Sequence, residues 1–302
     1  MKALATFIMR GRSQAILLTA AFAVLSLMLP PFSYISGGII ALVTLRKGAG
    51  EGALVSLVAG AIMAALSMAT MGHIVLAAAY LIVVWMPIWV LAQVLRKTVS
   101  MPLTLTVAGA MGVLGVLAIY AVLDDPVAWW RAILEQFFSQ ALSQAQLPDG
   151  MMGTADALDA MSTMMTGLMA SAFIVSLIFS LVLGRWWQAT LYNPGGFKQE
   201  FLSLRLDKTS AVIAVVVMIA AFVADGFGNI ATDLAAVILT IASIPGLALM
   251  HDWVANGGGN TIFLVVLYVL LLFAMPQMTA ALALSAIIDS WIDLRRHFKK
   301  ST

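Results

Sequence analysis

Only 10% of the 302 residues are charged, so the few ionisable side chains that interrupt apolar sequence define what chemistry the chain can do. Asp225, Asn229 and Asp233 fall at i, i+4 and i+8, which places two carboxylates and an amide on one face if the stretch is helical. Gly226 and Gly228 favour a break there instead. Grouped at a water–lipid boundary, these residues are suited to binding a cation, a proton or a polar solute. They are equally suited to capping helices, because Asn229 and Asp233 stand where N-caps belong. Further upstream, Trp129, Trp130 and Arg131 open a stretch that reads either as a lid over such a site or as an interfacial brace.

A second group runs from Arg185 to Lys208. Asn193-Pro194-Gly195-Gly196 specifies a tight turn whose amides could cradle an anion. Phe197, Lys198, Phe201, Leu204 and Arg205 follow as a short interfacial helix, with Phe197, Phe201 and Leu204 toward lipid. This elbow is expected to serve either as an anchor or as a contact for a partner.

Other chemistry is thinly represented. Met151, Met152, Met161, Met164, Met165 and Met169 resemble a soft-metal cluster, but no Cys exists in the chain and no His lies near them. Methionine is also an adaptable packing residue, so no metal and no cofactor are expected. His251-Asp252 could form a proton-linked pair, although a cationic His is also favoured at a helix C-terminus. No Walker, HExxH or GxSxG motif is present, so no catalytic residues are assigned and an enzyme is not expected.

The elements that position these residues follow from composition. Hydrophobic residues make up 62% of the chain and mean hydropathy is +1.02, which leaves too little polar surface to cover a globule in water. Lipid must be its solvent. Ten apolar runs with no more than one carboxylate each emerge, at 15–29, 31–45, 52–71, 73–95, 101–123, 161–184, 209–224, 230–250, 261–275 and 277–292. Several are short enough to be half-spans, so the expectation is an all-α polytopic protein with eight to ten membrane-embedded helices in a single membrane domain over 1–302. The first run lacks a small-x-small cleavage site before Pro30-Pro31 and reads as a retained span rather than a signal peptide.

Cation placement sets the expected orientation. If both termini are cytoplasmic and all ten runs cross, every Lys and Arg except Arg131 falls on the inner side. That threading requires 261–292 to break near Pro276, so that Arg295, Arg296, Lys299 and Lys300 return to the cytoplasm. The segment 124–160 is then the one long outer loop. Within it, 127–145 has the period of an amphipathic helix, with Val127, Trp130, Leu134, Phe137, Phe138 and Ala141 on one side.

Small residues at four-residue spacing, Gly48, Gly52, Ser56, Gly60 and Ala64, form a stripe that lets helix backbones approach. Ala172, Ser176, Ser180 and Gly184 form another, and Gly109, Gly112 and Gly115 a third at closer spacing. Packing within the chain and docking of a partner's helices both use such stripes. The spaced cations give no sign of a nucleic-acid partner.

These residues also carry a resemblance. Leu42-Val43-Thr44-Leu45-Arg46-Lys47-Gly48 with Gly52, the elbow from Asn193 to Arg205, Gly246-Leu247-Ala248, and Asp289-Ser290-Trp291-Ile292-Asp293-Leu294-Arg295 resemble the YybS-like family of bacterial inner-membrane proteins. That family is distantly similar to the substrate-capturing S components of energy-coupling-factor vitamin transporters, which dock on a shared ATPase module. The resemblance implies a bacterial inner-membrane location and a transport-related role, with a small solute and a transporter module as partners. It supplies no catalytic residue. The competing expectation is a membrane scaffold or assembly factor that acts through protein contacts and takes no small ligand.

Overall fold

A computed structural model of the chain describes residues 1–145, 155–224 and 229–298. Those residues form an all-helical membrane-type fold with no strand among them. In chain order the helices are α1 (Lys2–Met9), α2 (Arg12–Leu25), α3 (Phe32–Lys47), α4 (Ala49–Met71), α5 (Val75–Ala79), α6 (Met86–Thr98), α7 (Met101–Val122), α8 (Pro126–Ala145), α9 (Ala155–Tyr192), α10 (Gly196–Leu202), α11 (Lys208–Val223), α12 (Ile230–Asn256), α13 (Thr261–Phe273), α14 (Met275–Ile292) and α15 (Leu294–Phe298). A π-helical segment, Tyr80–Trp85, joins α5 to α6.

Among the described residues, five helices are long and apolar enough to cross a membrane: α4, the continuous 75–98 segment, α7, α9 and α12. That supports an all-α membrane-type fold, while the eight to ten membrane-embedded helices expected are not shown as spans. For several runs the difference is one of length. Several charge-free runs do fold as helices, but α2, α11 and α13 have only 14, 16 and 13 residues. At 1.5 Å per residue they reach roughly 20–24 Å, short of a hydrocarbon core of about 30 Å. An apolar run therefore need not fold as a full-length span.

The sequence reads as one membrane body, whereas its contacts gather into two compact units. The first comprises Met1–Ala108 with Val175–Leu204, and the second Gly109–Ile174 with Arg205–Thr302. In the first unit, α3 is buried almost along its full length. Its core polar groups are answered in series, for the Trp85 indole donates to Ser36 Oγ at 3.1 Å and Ser36 Oγ donates to the Thr19 carbonyl at 2.9 Å. Arg96 donates to the Thr44 carbonyl, which also accepts the Gly48 N–H that caps α3. Arg12 and Glu51 pair across α2 and α4.

The small-residue stripe of α4 is used within this unit. Gly52 abuts Thr44 and Trp89, Ser56 is buried, and Gly60 faces Leu81 and Trp85. Gly184 of α9 presses on α3, where an added Cβ would lie 2.7 Å from the Gly38 carbonyl and 2.9 Å from the Leu42 amide.

In the second unit, local sequence starts the helices as capping chemistry requires. Asp207, Asn229 and Asn260 accept from the backbone N–H of Ser210, Thr232 and Ile262, opening α11, α12 and α13. Bonding to Ser210 holds the Asp207 carboxyl below the usual range. Helix α13 runs back against α12, with Trp253 packed edge-to-face on Phe263 and His251 hydrogen-bonded to Tyr268 at 2.8 Å. The chain breaks at Ala274, and Pro276 takes a first-turn position in α14, where its missing N–H leaves no gap. Helix α14 then lies along α12 in parallel register, Leu282 against Gly246 and Asp289 level with Asp252. The segment 261–292 is thus two short helices folded as a hairpin.

Gly246 lets α12 and α14 approach closely, since a Cβ there would stand 2.0 Å from the Leu282 backbone oxygen. Gly246→Ala is therefore expected to destabilise the protein by about 1–3 kcal/mol through overpacking. Gly115 has open space at the same test, so Gly115→Ala should leave stability unchanged or raise it by up to about 1 kcal/mol. Thermal unfolding of the two purified variants in one detergent checks the contrast.

Candidate functional site

Asp233 is the organising residue of the candidate site. It sits in the first turn of α12, where a carboxylate meets the positive end of the helix dipole, yet only 3% of it is exposed. Burying an unanswered carboxylate would cost far more than a helix dipole returns. The fold answers it twice. Tyr120 at the end of α7 donates its hydroxyl to Oδ2 at 2.8 Å, and the Gly167 amide of α9 donates to Oδ1 at 2.9 Å.

Glycine at 167 is required by the closeness of α9 and α12. A Cβ there would lie 2.8 Å from Asp233 Oδ1 and 3.1 Å from both the Asp233 Cα and the Ala236 Cβ. Gly112 plays the same part on α7, facing Ile174 and Val237. Three helices are thereby drawn together around one carboxylate.

Helix α8 attaches to this group from the side. Asp125 caps it by accepting from the Ala128 N–H, and Pro126 fills the first helical position. Its inward face carries Leu134, which is buried, with Val127, Trp130 and Phe138 half-buried. Phe137, expected on that side, is 64% exposed because it lies at the margin of the stripe; Ala141 lies outside the described side chains. The Trp130 indole donates to Thr166 Oγ at 2.9 Å, next in sequence to Gly167, and Trp129 packs edge-to-face on Trp130. Arg131 pairs with Glu135 on its own helix and with Asp159 on α9 at 2.7 Å.

The structure thus brings Asp233 and Trp130 to adjacent residues of α9, with Arg131 tied further along that helix. Asn229 caps α12 through Thr232 and also donates weakly to the Ala224 carbonyl at 3.4 Å. Trp129 is substantially exposed. Asp225 lies outside the described residues, as do Met151 and Met152. Tyr120, Thr166 and Gly167 were not identified as site residues in the sequence. They lie 113 and 66 positions from Asp233 in the case of Tyr120 and Gly167, and nothing in an apolar run marks such pairings.

The elbow from Asn193 to Leu204 is tied to its own unit. Gly195 adopts a left-handed φ of +86°, and the Gly196 N–H donates to the Asn193 carbonyl, so that amide is engaged within the turn rather than offered to an anion. Glu200 bonds Arg185 at 2.8 Å, which folds α10 against the end of α9, and Phe197 stacks on Phe201. Leu204, expected toward lipid, is instead 2% exposed, because α10 ends at Leu202 and the following turn carries Leu204 off its outer face. Arg205 belongs to the second unit and pairs with Asp293.

Among the described residues, no three His, Cys, Asp or Glu side chains gather as metal ligands. What the Asp233 site offers is hydrogen-bond acceptance. Each carboxylate oxygen takes one protein donor, and an ionised carboxyl has room for about four. No protein-family model, no curated protein and no solved structure matches this chain.

Tyr120→Phe removes a donor from a buried acceptor and is expected to lower stability by about 1–3 kcal/mol. In an Asp233→Asn background the same change should cost measurably less, because the two residues act through one bond. A double-mutant cycle of thermal melts reads the coupling; strict additivity would show the bond to be energetically idle.

Proposed function

We propose that this chain is a multi-pass protein of a bacterial inner membrane with both termini in the cytoplasm, and that it captures a small polar solute from the outer face. Asp233 is its main recognition group, and α8 with Trp129, Trp130 and Arg131 forms the covering element. The observation that carries this reading is the burial of Asp233 at a helix end with acceptor capacity to spare. An ionisable group at such depth is expensive unless it is used, and its chemistry favours a solute bearing an amino group or another hydrogen-bond donor. The basic residues that separate the apolar segments support the orientation. Likeness to the YybS-like family, and through it to S components, supports a transport-related role in which a transporter module is the partner.

A scaffold without a small ligand has less support. Gly52, Gly60, Gly184 and Gly246 are met by neighbours within the chain, and the elbow is bonded to α9 through Glu200.

The test compares small molecules released by denaturing wild type and Asp233→Asn, each purified from native membranes in the same detergent. Wild type should release a solute that the variant lacks, although both accumulate to similar levels. Identical profiles from two folded proteins reject Asp233 as the recognition group.

A further inference from the structure

Charge is distributed one-sidedly in the first unit, every residue of which is described. Its acidic side chains are Glu51 and Glu200, and each is already bonded to an arginine, Arg12 and Arg185 respectively. Arg46, Lys47, Arg96 and Lys97 are all exposed and form no ion pair among the described residues.

These four cations stand together. Arg46 and Lys47 close α3, and Arg96 and Lys97 close α6. The two helix ends adjoin, because the Arg96 guanidinium donates to the Thr44 carbonyl at 3.0 Å and lies against Gly48, where an added Cβ would meet its Nη1 at 3.1 Å. Gly48 has a φ of +110°, which turns the chain from α3 straight into α4 beside that guanidinium. Lys47 is near enough to Glu51 to act on its charge, so the Arg12–Glu51 pair borders the same turn. Arg46 is held over the Tyr192 ring at 4.1 Å, and the Trp89 indole donates to the Ala49 carbonyl at 3.0 Å.

Their place in the fold decides what they meet. Helix α4 begins at Ala49 and the continuous 75–98 segment ends at Thr98, and both are long and apolar enough to cross a membrane. The cations therefore stand where two such helices end, at the depth of lipid headgroups. Apolar side chains are interleaved with them: Val99 is 83% exposed directly after α6, and Trp186 and Tyr192 are exposed toward the end of α9. Helix dipoles absorb only part of the charge, since each C-terminus carries the equivalent of about half a negative charge and two of them offset roughly one cation of four. The Arg96 fork also has donors beyond the one that serves Thr44. An anion that sits at headgroup depth among apolar groups answers the remainder, and a lipid phosphate with its acyl chains is such an anion.

We propose that the α3–α4 turn and the end of α6 form a binding surface for an anionic phospholipid. Arg96 holds the phosphate, Lys47 and Lys97 add charge beside it, and the acyl chains follow apolar side chains that α4 and the 75–98 segment leave exposed, such as Leu57 and Met86. The surface belongs to the first unit alone. It stands whether or not Asp233 binds a solute, and on whichever face of the membrane this end lies.

Native mass spectrometry of the full chain in detergent, titrated with phosphatidylglycerol or with phosphatidylcholine of the same acyl chains, tests this. Wild type should bind phosphatidylglycerol the more tightly. Lys47→Gln with Lys97→Gln removes two exposed cations without disturbing the Arg96–Thr44 bond. At about fivefold per cation near a charged surface, its affinity for phosphatidylglycerol should fall roughly 25-fold while that for phosphatidylcholine is unchanged. Lys208→Gln with Arg296→Gln takes equal charge from the second unit and should leave phosphatidylglycerol binding within about twofold of wild type, because those cations lie outside the surface. The proposal is overturned if wild type binds the two lipids equally, the result expected of a surface built for an acidic protein. It is also overturned if the Lys47 and Lys97 variant keeps the wild-type preference, or if the Lys208 and Arg296 variant loses as much.

Discussion

A charged side chain in a low-dielectric interior must be answered by groups the chain itself supplies, and the second unit is arranged around that constraint. Lipid offers neither hydrogen bonds nor counterions, so each buried carboxylate has to recruit donors from other helices. Asp233 recruits Tyr120 from α7 and Gly167 from α9; Asp289 and Asp252 converge on Arg295. These contacts determine which helices adjoin α12, and they explain where glycine is demanded. Gly167 admits the Asp233 carboxylate, and Gly246 admits the α14 backbone that brings Asp289 level with Asp252. Hydrophobic matching alone would not choose among neighbours, since one apolar face serves lipid and protein equally well.

The first unit meets the same constraint with neutral groups at its centre. Trp85, Ser36 and the Thr19 carbonyl close a short hydrogen-bonded series beside a π-helical segment, while its ion pairs, Arg12–Glu51 and Arg185–Glu200, are less deeply buried. Among the described residues, the most deeply buried ionisable side chains, Asp233, Asp252, Asp289 and Arg295, all belong to the second unit.

What the sequence made legible is what depends on nearby residues. The amphipathic stripe around Trp130 and Leu134 located α8, Pro276 located the break between α13 and α14, and Asn229 capped the helix it precedes. Span number was not legible, because an apolar run reports hydropathy and not helix length, and three such runs fold as helices of 13 to 16 residues, shorter than a full-length span. The site was half legible. Asp233 stood out as a carboxylate amid apolar sequence, but Tyr120 and Gly167 belong to other helices and nothing local ties them to it. Arg295 and Asp289 were read as orientation signal and family likeness, respectively, when both are buried partners; charge pattern along a chain does not reveal which cations face inward.

The account rests on α12 carrying a polar group at each of two opposite membrane faces. Because the chain has no cysteine, a single introduced thiol reports one position without background. Ser139→Cys on α8, the helix whose Trp130 bonds beside Gly167, and Arg296→Cys on α15, which follows α14, are both exposed positions. A membrane-impermeant maleimide applied to intact spheroplasts should label the thiol at 139 and spare that at 296, with the reverse in inside-out vesicles. Labelling of both from the same side would contradict the account.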